Sequence, residues 1–120
     1  MASTNAIPRT EKIARLNDNA RWHYDPTTRH VVTATCLATL APDNTQLQLI
    51  WARAKLQKAL REATFTKESP ERDRAEIYVD GHRLHFKIDY YDPALEFGSE
   101  DPANASITVR VITIMLYGED

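Results

Sequence analysis

Three glycines in 120 residues are too few for a phosphate-cradling loop, because such loops need several positions where the backbone reaches positive φ or approaches the ligand closely. P-loop and dinucleotide-binding readings are excluded on that count. A single cysteine, Cys36, allows neither an internal disulfide nor a paired-thiolate zinc site, and its setting, TATCLATL, marks it as a small core residue. No apolar run approaches the ~20 residues of a membrane span; the longest, Val111 to Leu116, has strand length. The opening MASTNAIPRTEK lacks the basic and then apolar order of a secretory leader, so a cytoplasmic location and no membrane partner are expected. Positive charge is not in excess either. Fifteen Lys and Arg against 17 Asp and Glu leave −2, which argues against direct nucleic-acid binding.

What is present is an ordinary globular balance, 42% hydrophobic and 27% charged, in a chain long enough to bury one core. A single domain over 1–120 is expected, with a mobile amino terminus at 1–8 and a long acidic loop at 93–106. The charge is uneven. Residues 89–120 hold Arg110 against seven acids, so the carboxy-terminal quarter stands at −6, a field that favours a basic partner surface.

The strongest local signal is Ala75 to Asp92, AEIYVDGHRLHFKIDYYD. Two alternating runs flank Asp80-Gly81, and an Asp-Gly pair suits a type I′ turn, whose central residues both need positive φ. A two-residue loop sets Val79 opposite His82, Ile77 opposite Leu84 and Glu76 opposite His85. One face then carries Ile77, Val79, Leu84, Phe86, Ile88 and Tyr90. The other carries Glu76, Tyr78, Arg83, His85, Lys87, Asp89 and Tyr91, either a solvated face with weak ion pairs or a site in which His85, Lys87, Asp89 and Tyr91 stand in a row.

Before the hairpin, Thr10 is a plausible cap for a first helix ending near Arg21 or Trp22. Asp25-Pro26-Thr27-Thr28 reads as a turn. His30 to Thr35 is a β-branched strand with which Trp22 to Tyr24 is a candidate to pair, and Leu37 to Ala41 is a connector. A second helix is expected from Asp43 as cap to about Ala63, with Gln46 completing a reciprocal bond. Its apolar residues fall on two sides: Leu49, Ala52, Leu56, Ala59, Leu60 and Ala63 on one, Leu47, Ile50, Trp51 and Ala54 nearly opposite. The second set is either wedged between sheet and first helix or exposed, with Ile50 and Trp51 as an interface anchor. Thr64 to Arg74 is an exposed linker. Ile107 to Tyr117, apolar on both faces, reads as a central strand covered on both sides, pairing with Arg83 to Tyr91 through the long loop. Arg110 interrupts it and calls for a carboxylate partner, Asp89 or Asp92.

No cluster supports metal binding. His82 and His85, three apart on a strand, point to opposite faces, and His85 with Glu76 supplies only two ligands. Asp89 and Asp92 serve as acid and base only if their surroundings separate their affinities for protons.

KIDYYDP (Lys87 to Pro93), the acidic SEDPA segment and RVITIMLY (Arg110 to Tyr117) together resemble a small bacterial family catalogued as domain of unknown function 3768, and IARLND (Ile13 to Asp18) and RHVVTAT (Arg29 to Thr35) fit it too. The resemblance implies a compact cytoplasmic bacterial protein, frequent on plasmids and other mobile elements, with no established activity and so no catalytic residue to carry over. Lys87, Asp89, Tyr90, Tyr91, Asp92 and Arg110 are the positions where the family pattern and the strand reading agree.

The expected architecture is α+β: a twisted antiparallel sheet of three to four strands with two helices packed on one face. The preferred function is a non-enzymatic protein-binding module, an inhibitor or adaptor, with an anti-defence role on a nucleic-acid-binding host protein as one version. Its candidate binding residues are Lys87, Asp89, Tyr91, Asp92, Arg110, His85, Ile50 and Trp51, with no cofactor. The alternatives are a small hydrolase or transferase using Asp89, Lys87 and Arg110, and a structural homodimer.

Overall fold

The Asp-Gly turn forms as its residue types require: in the computed structural model, which describes residues 7–23 and 25–119, Asp80 and Gly81 take φ of 51° and 80°. That turn joins β2 (Arg74–Val79) to β3 (His82–Tyr91) in the expected register, Val79 opposite His82, Ile77 opposite Leu84 and Glu76 opposite His85. β4 (Val109–Leu116) returns antiparallel to β3, with Tyr90 opposite Arg110 and Lys87 opposite Thr113. It is an inner strand as expected, but the expected cover on both sides is corrected: the helices pack on the Ile112 and Ile114 side only, and Val111 and Thr113 stand half-buried on the open face. The order is β1-β4-β3-β2.

β1 (Thr28–Val32) corrects the expectation of an all-antiparallel sheet, since it pairs with β4 in parallel, Thr28 opposite Arg110 and Val32 opposite Ile114. The sheet is therefore mixed. The strand also stops short of the expected Thr35, because Thr33 takes the cap position and accepts a hydrogen bond from the Cys36 backbone, opening α2 (Ala34–Leu40) where a connector was expected. With α1 (Arg9–Trp22) and α3 (Gln46–Arg61) this makes three α-helices among the described residues, not two. Trp22 ends α1 and so does not pair with β1; Tyr24, like residues 1–6 of the expected mobile terminus, lies outside the described residues.

Two caps also move. α1 starts at Arg9 behind Pro8 with no side-chain cap, so Thr10 is inside the helix. α3 is capped by Thr45, whose hydroxyl accepts from Gln48 N. Asp43 instead trades bonds with the Gln48 side chain: its carboxylate accepts from Gln48 Nε2 at 3.2 Å and its backbone N–H donates to Gln48 Oε1 at 2.8 Å. The Asp25 turn is as expected, with Asp25 Oδ1 accepting from Thr27 N at 2.7 Å and Thr27 Oγ1 at 2.6 Å.

The helices cover one face of the sheet. Ala20 of α1, Cys36 of α2 and Leu56 and Leu60 of α3 close over Ile77, Val79, Leu84, Phe86, Ile88, Ile112 and Ile114, all buried. Phe65 follows α3 and meets Phe86 edge-on, centroids 6.1 Å apart. The opposite face carries Arg29, Val31, Glu76, Tyr78, Arg83, His85, Lys87, Asp89, Tyr91, Val111 and Thr113, exposed or half-buried, with Val109 and Met115 buried among them.

Candidate functional site

Alternation along β3 places His85, Lys87, Asp89 and Tyr91 in one row on this open face, as the spacing predicts. Arg110 is not with them. Its register partner is Tyr90, so its side chain enters the helix layer, away from Asp89, which sits beside Val111. The expected carboxylate partner is corrected accordingly. Arg110 Nε donates to Asn17 Oδ1 at 2.7 Å, Nη2 donates to the Pro102 carbonyl at 2.5 Å, and the guanidinium lies 5.1 Å from the centre of the Tyr90 ring. Asn17, fully buried, completes the cluster by donating to the Glu71 carbonyl at 3.0 Å and to the Tyr90 hydroxyl at 2.8 Å, which itself donates to Glu71 Oε1 at 2.8 Å. Burial lowers the Arg110 pKa and raises that of Tyr90, in each case as the largest influence. Amide, carbonyl and ring satisfy the buried cation, and the cluster ties α1, the 71–73 segment, β3 and β4 together.

Asp92 is also turned to structural use. Its carboxylate accepts from Glu96 N at 2.9 Å and Phe97 N at 3.3 Å, and its backbone exchanges with Phe97 and Leu95. The long loop thus starts as a tight turn that brings Gly98 back against Tyr91. Of the other acids in the −6 segment, Asp101 pairs with Arg9 at 3.0 Å and Glu119 accepts from Thr33 Oγ1 and Leu116 N. An acidic face for a basic partner is weakened to that extent.

The enzyme alternative, with Asp89 as base and Lys87 or Arg110 as stabiliser, calls for Lys87 and Asp89 to converge in a concavity walled by the long loop. Arg110 lies across the sheet, which leaves Lys87 as the stabiliser beside Asp89. The clefts of about 610 and about 500 Å³ are lined by other groups: the first by Thr64, Thr66, Ser69, Arg74, Glu76 and neighbours including His85, the second by Asp92, Pro93, Phe97, Gly98, Glu100 and Ile107. Neither includes Lys87 or Asp89. Among the described residues no group of three or more His, Cys, Asp or Glu side chains is arranged to hold a metal ion.

α3 settles its own ambiguity. Ala52, Leu56 and Leu60 are buried, while Leu47, Ile50 and Trp51 stand 64%, 58% and 59% exposed. The reading that wedged the second side between sheet and α1 is corrected: all three helices lie on one face of the sheet, and the far side of α3 is left to solvent. At ~100° per residue Leu47, Ile50, Trp51 and Ala54 form one stripe that continues into Lys58 and Arg61. Arg61 lies over the Trp22 ring and donates to the Trp22 carbonyl; Lys55, at the stripe's edge, bonds Asp80. Phe97, 70% exposed, and the Asn17 role were missed from sequence: one aromatic in a loop has no periodicity, and Asn17 looked only like a poor helix former.

These features define a two-layer α+β domain with one open sheet face and one apolar helix face. Among the described residues no helix is long and apolar enough to cross a membrane. The family model described as "Protein of unknown function (DUF3768)" matches residues 9–119, and the chain belongs to that family. No curated protein and no solved structure matched the chain.

Proposed function

We propose that the protein is a non-enzymatic binding module, an inhibitor or adaptor, that engages a partner protein through the exposed face of α3. The observation that carries the reading is the cluster of Leu47, Ile50 and Trp51, each more than half exposed on one rigid helix. Single exposed apolar residues need no explanation, but three large ones at helical spacing, with a tryptophan among them, form the kind of anchor a partner groove accepts. The stripe turns from apolar to basic along its length, so the complementary partner surface is an apolar groove whose continuation carries carboxylates. The open β3 row of His85, Lys87, Asp89 and Tyr91 is a second, flatter polar surface on another side of the molecule. A host nucleic-acid-binding protein as target is a separate version, which would use the acidic carboxy-terminal segment and not the basic end of α3.

Capture from host lysate tests it, comparing wild type with Ile50→Ala/Trp51→Ala and with Lys87→Ala/Asp89→Ala. Because Trp51 is mostly solvated, Trp51→Ala is expected to change unfolding free energy by no more than about 0.5 kcal/mol. Loss of such an anchor weakens binding by about 2 kcal/mol or more, roughly 30-fold. A partner retained by the α3 variant and lost from the β3 variant would reject α3 as the docking face.

A further inference from the structure

β2 is an edge strand, and its outer backbone is open. Alternation from the hydrogen-bonded Val79·His82 pair next to the turn directs the N–H and C=O groups of Ala75, Ile77 and Val79 toward β3 and those of Arg74, Glu76 and Tyr78 away from it. The Ile88 N–H to Asp73 carbonyl bond of 2.7 Å continues the same alternation. The outward backbone groups of Arg74, Glu76 and Tyr78 make no hydrogen bond among the described residues. The cleft of about 610 Å³ runs along this edge, with Arg74, Ala75, Glu76 and Tyr78 on one side and Thr64, Thr66, Glu68 and Ser69 of the preceding segment on the other, so an added strand enters between β2 and that segment. An exposed row of unpaired backbone groups is a template for another strand unless something protects it.

The side chains say which strand fits. Arg74 and Glu76 are two apart on one face, of opposite charge, with only Ala75 between them. Arg74 has no ion pair among the described residues, while Glu76 accepts from Arg83 at 2.5 and 3.2 Å. An antiparallel copy of β2 placed by a two-fold axis at Ala75 sets Arg74 opposite Glu76 of the second copy, and Glu76 opposite its Arg74. Two reciprocal charge pairs form, and the small side chain of Ala75 meets its own equivalent where the strands approach most closely. The neighbouring registers are worse. An axis at Glu76 opposes two like charges, and an axis at Ile77 draws Arg74 against Asp80, which lies in the turn and is bonded to Lys55.

We infer that β2 pairs with β2 of a second copy of this chain about Ala75, joining two four-stranded sheets into one of eight. The pairing is isologous, closes on itself and uses about four backbone hydrogen bonds. It is small and therefore weak, with dissociation in the range of about 10 µM to 1 mM. It does not depend on what α3 binds, although a dimer would present two α3 faces and multiply the avidity for a repetitive partner.

The test uses charge exchange. Arg74→Glu places two acids against two acids across the axis, and Glu76→Arg places two arginines against two arginines. Each variant alone is expected to be monomeric in sedimentation equilibrium at concentrations where wild type is dimeric, up to about 0.5 mM. Mixed in equal amounts, the two are expected to form a heterodimer, because each restores the other's complement. Unchanged thermal unfolding of each variant separates loss of pairing from loss of fold. A wild type that stays monomeric to that concentration overturns the inference. So does a dimer insensitive to both substitutions, or a mixture that fails to reassociate. A dimer lost on Trp51→Ala instead would place self-association on α3 and reject β2.

Discussion

Replacing Asn17 by alanine removes the hub of the polar cluster and tests how the helix layer is locked to the sheet. Asn17 makes three bonds: 3.0 Å to the Glu71 carbonyl, 2.8 Å to Tyr90 and 2.7 Å from Arg110. The tyrosine hydroxyl keeps Glu71 as an acceptor after the change, and the 71 carbonyl lies in a half-buried segment that water can reach. The Arg110 Nε has no such alternative. It belongs to a side chain only 4% exposed, and a buried charged donor left without its acceptor costs about 1.5–3 kcal/mol, to which the lost amide packing adds roughly 1. Asn17→Ala is therefore expected to lower the unfolding free energy by about 3 kcal/mol, or Tm by about 10 °C for a chain of this size. Tyr90→Phe removes one hydroxyl and leaves Arg110 bonded, so its cost should be near 1 kcal/mol. Urea unfolding followed by circular dichroism measures both. An Asn17→Ala cost within about 0.5 kcal/mol of zero, or no greater than that of Tyr90→Phe, would refute the assignment of Asn17 as the group that satisfies Arg110.

Three further outcomes are expected. Burial holds the His30 pKa below its ordinary 6.5, against the opposing bond to the Ala20 carbonyl and the Asp25 charge. The unfolded chain thus takes up a proton first as pH falls below 6.5, so stability decreases on acidification through the interval down to the folded-state value; His30→Gln should flatten that part of the profile, and an unchanged slope contradicts it. Gly81→Ala meets no atom within 4 Å of the added Cβ but must hold φ near +80°, so a loss of about 1 kcal/mol is expected in the same urea assay, with no change in the hairpin register by NMR. Burial, aided by the Glu119 charge, pushes the Cys36 thiol up to about 11. A thiol-reactive dye at pH 8 should label the native protein only as fast as it opens, and labelling at the rate of a free cysteine would contradict that burial.

The hairpin and its register were legible because a two-residue turn leaves the alternating pattern no freedom: once Asp80-Gly81 is the turn, every face assignment on β2 and β3 follows. The inner position of β4 was readable from its apolar run, but cover on both of its faces was not realised, because the helices pack on one side of the sheet only. Parallel pairing of β1 was not readable, since a short β-branched run looks the same in either direction and the choice is made by the helices that intervene. α2 was missed because ATCLATL is too short to show a helical period and contains two β-branched threonines. Its capping bond from Cys36 N to Thr33 favours the turn that composition conceals. The Arg110 partner could have been found. The same alternation that put Asp89 on the open face puts Arg110 beside Tyr90, and that constraint was stronger than the charge preference for a carboxylate. The second face of α3 had to be seen, because sequence records that it is apolar and not what, if anything, lies over it.

The docking face itself is reached most directly by a photo-crosslinking amino acid placed in the full chain in host cells, at position 51 on α3 and, in separate strains, at positions 87 and 97. A discrete higher-mass adduct from position 51, absent from 87 and 97, is expected if α3 is the anchor. Adducts from 87 or 97 with none from 51 would move the interface to the sheet face or the loop and contradict the assignment of α3.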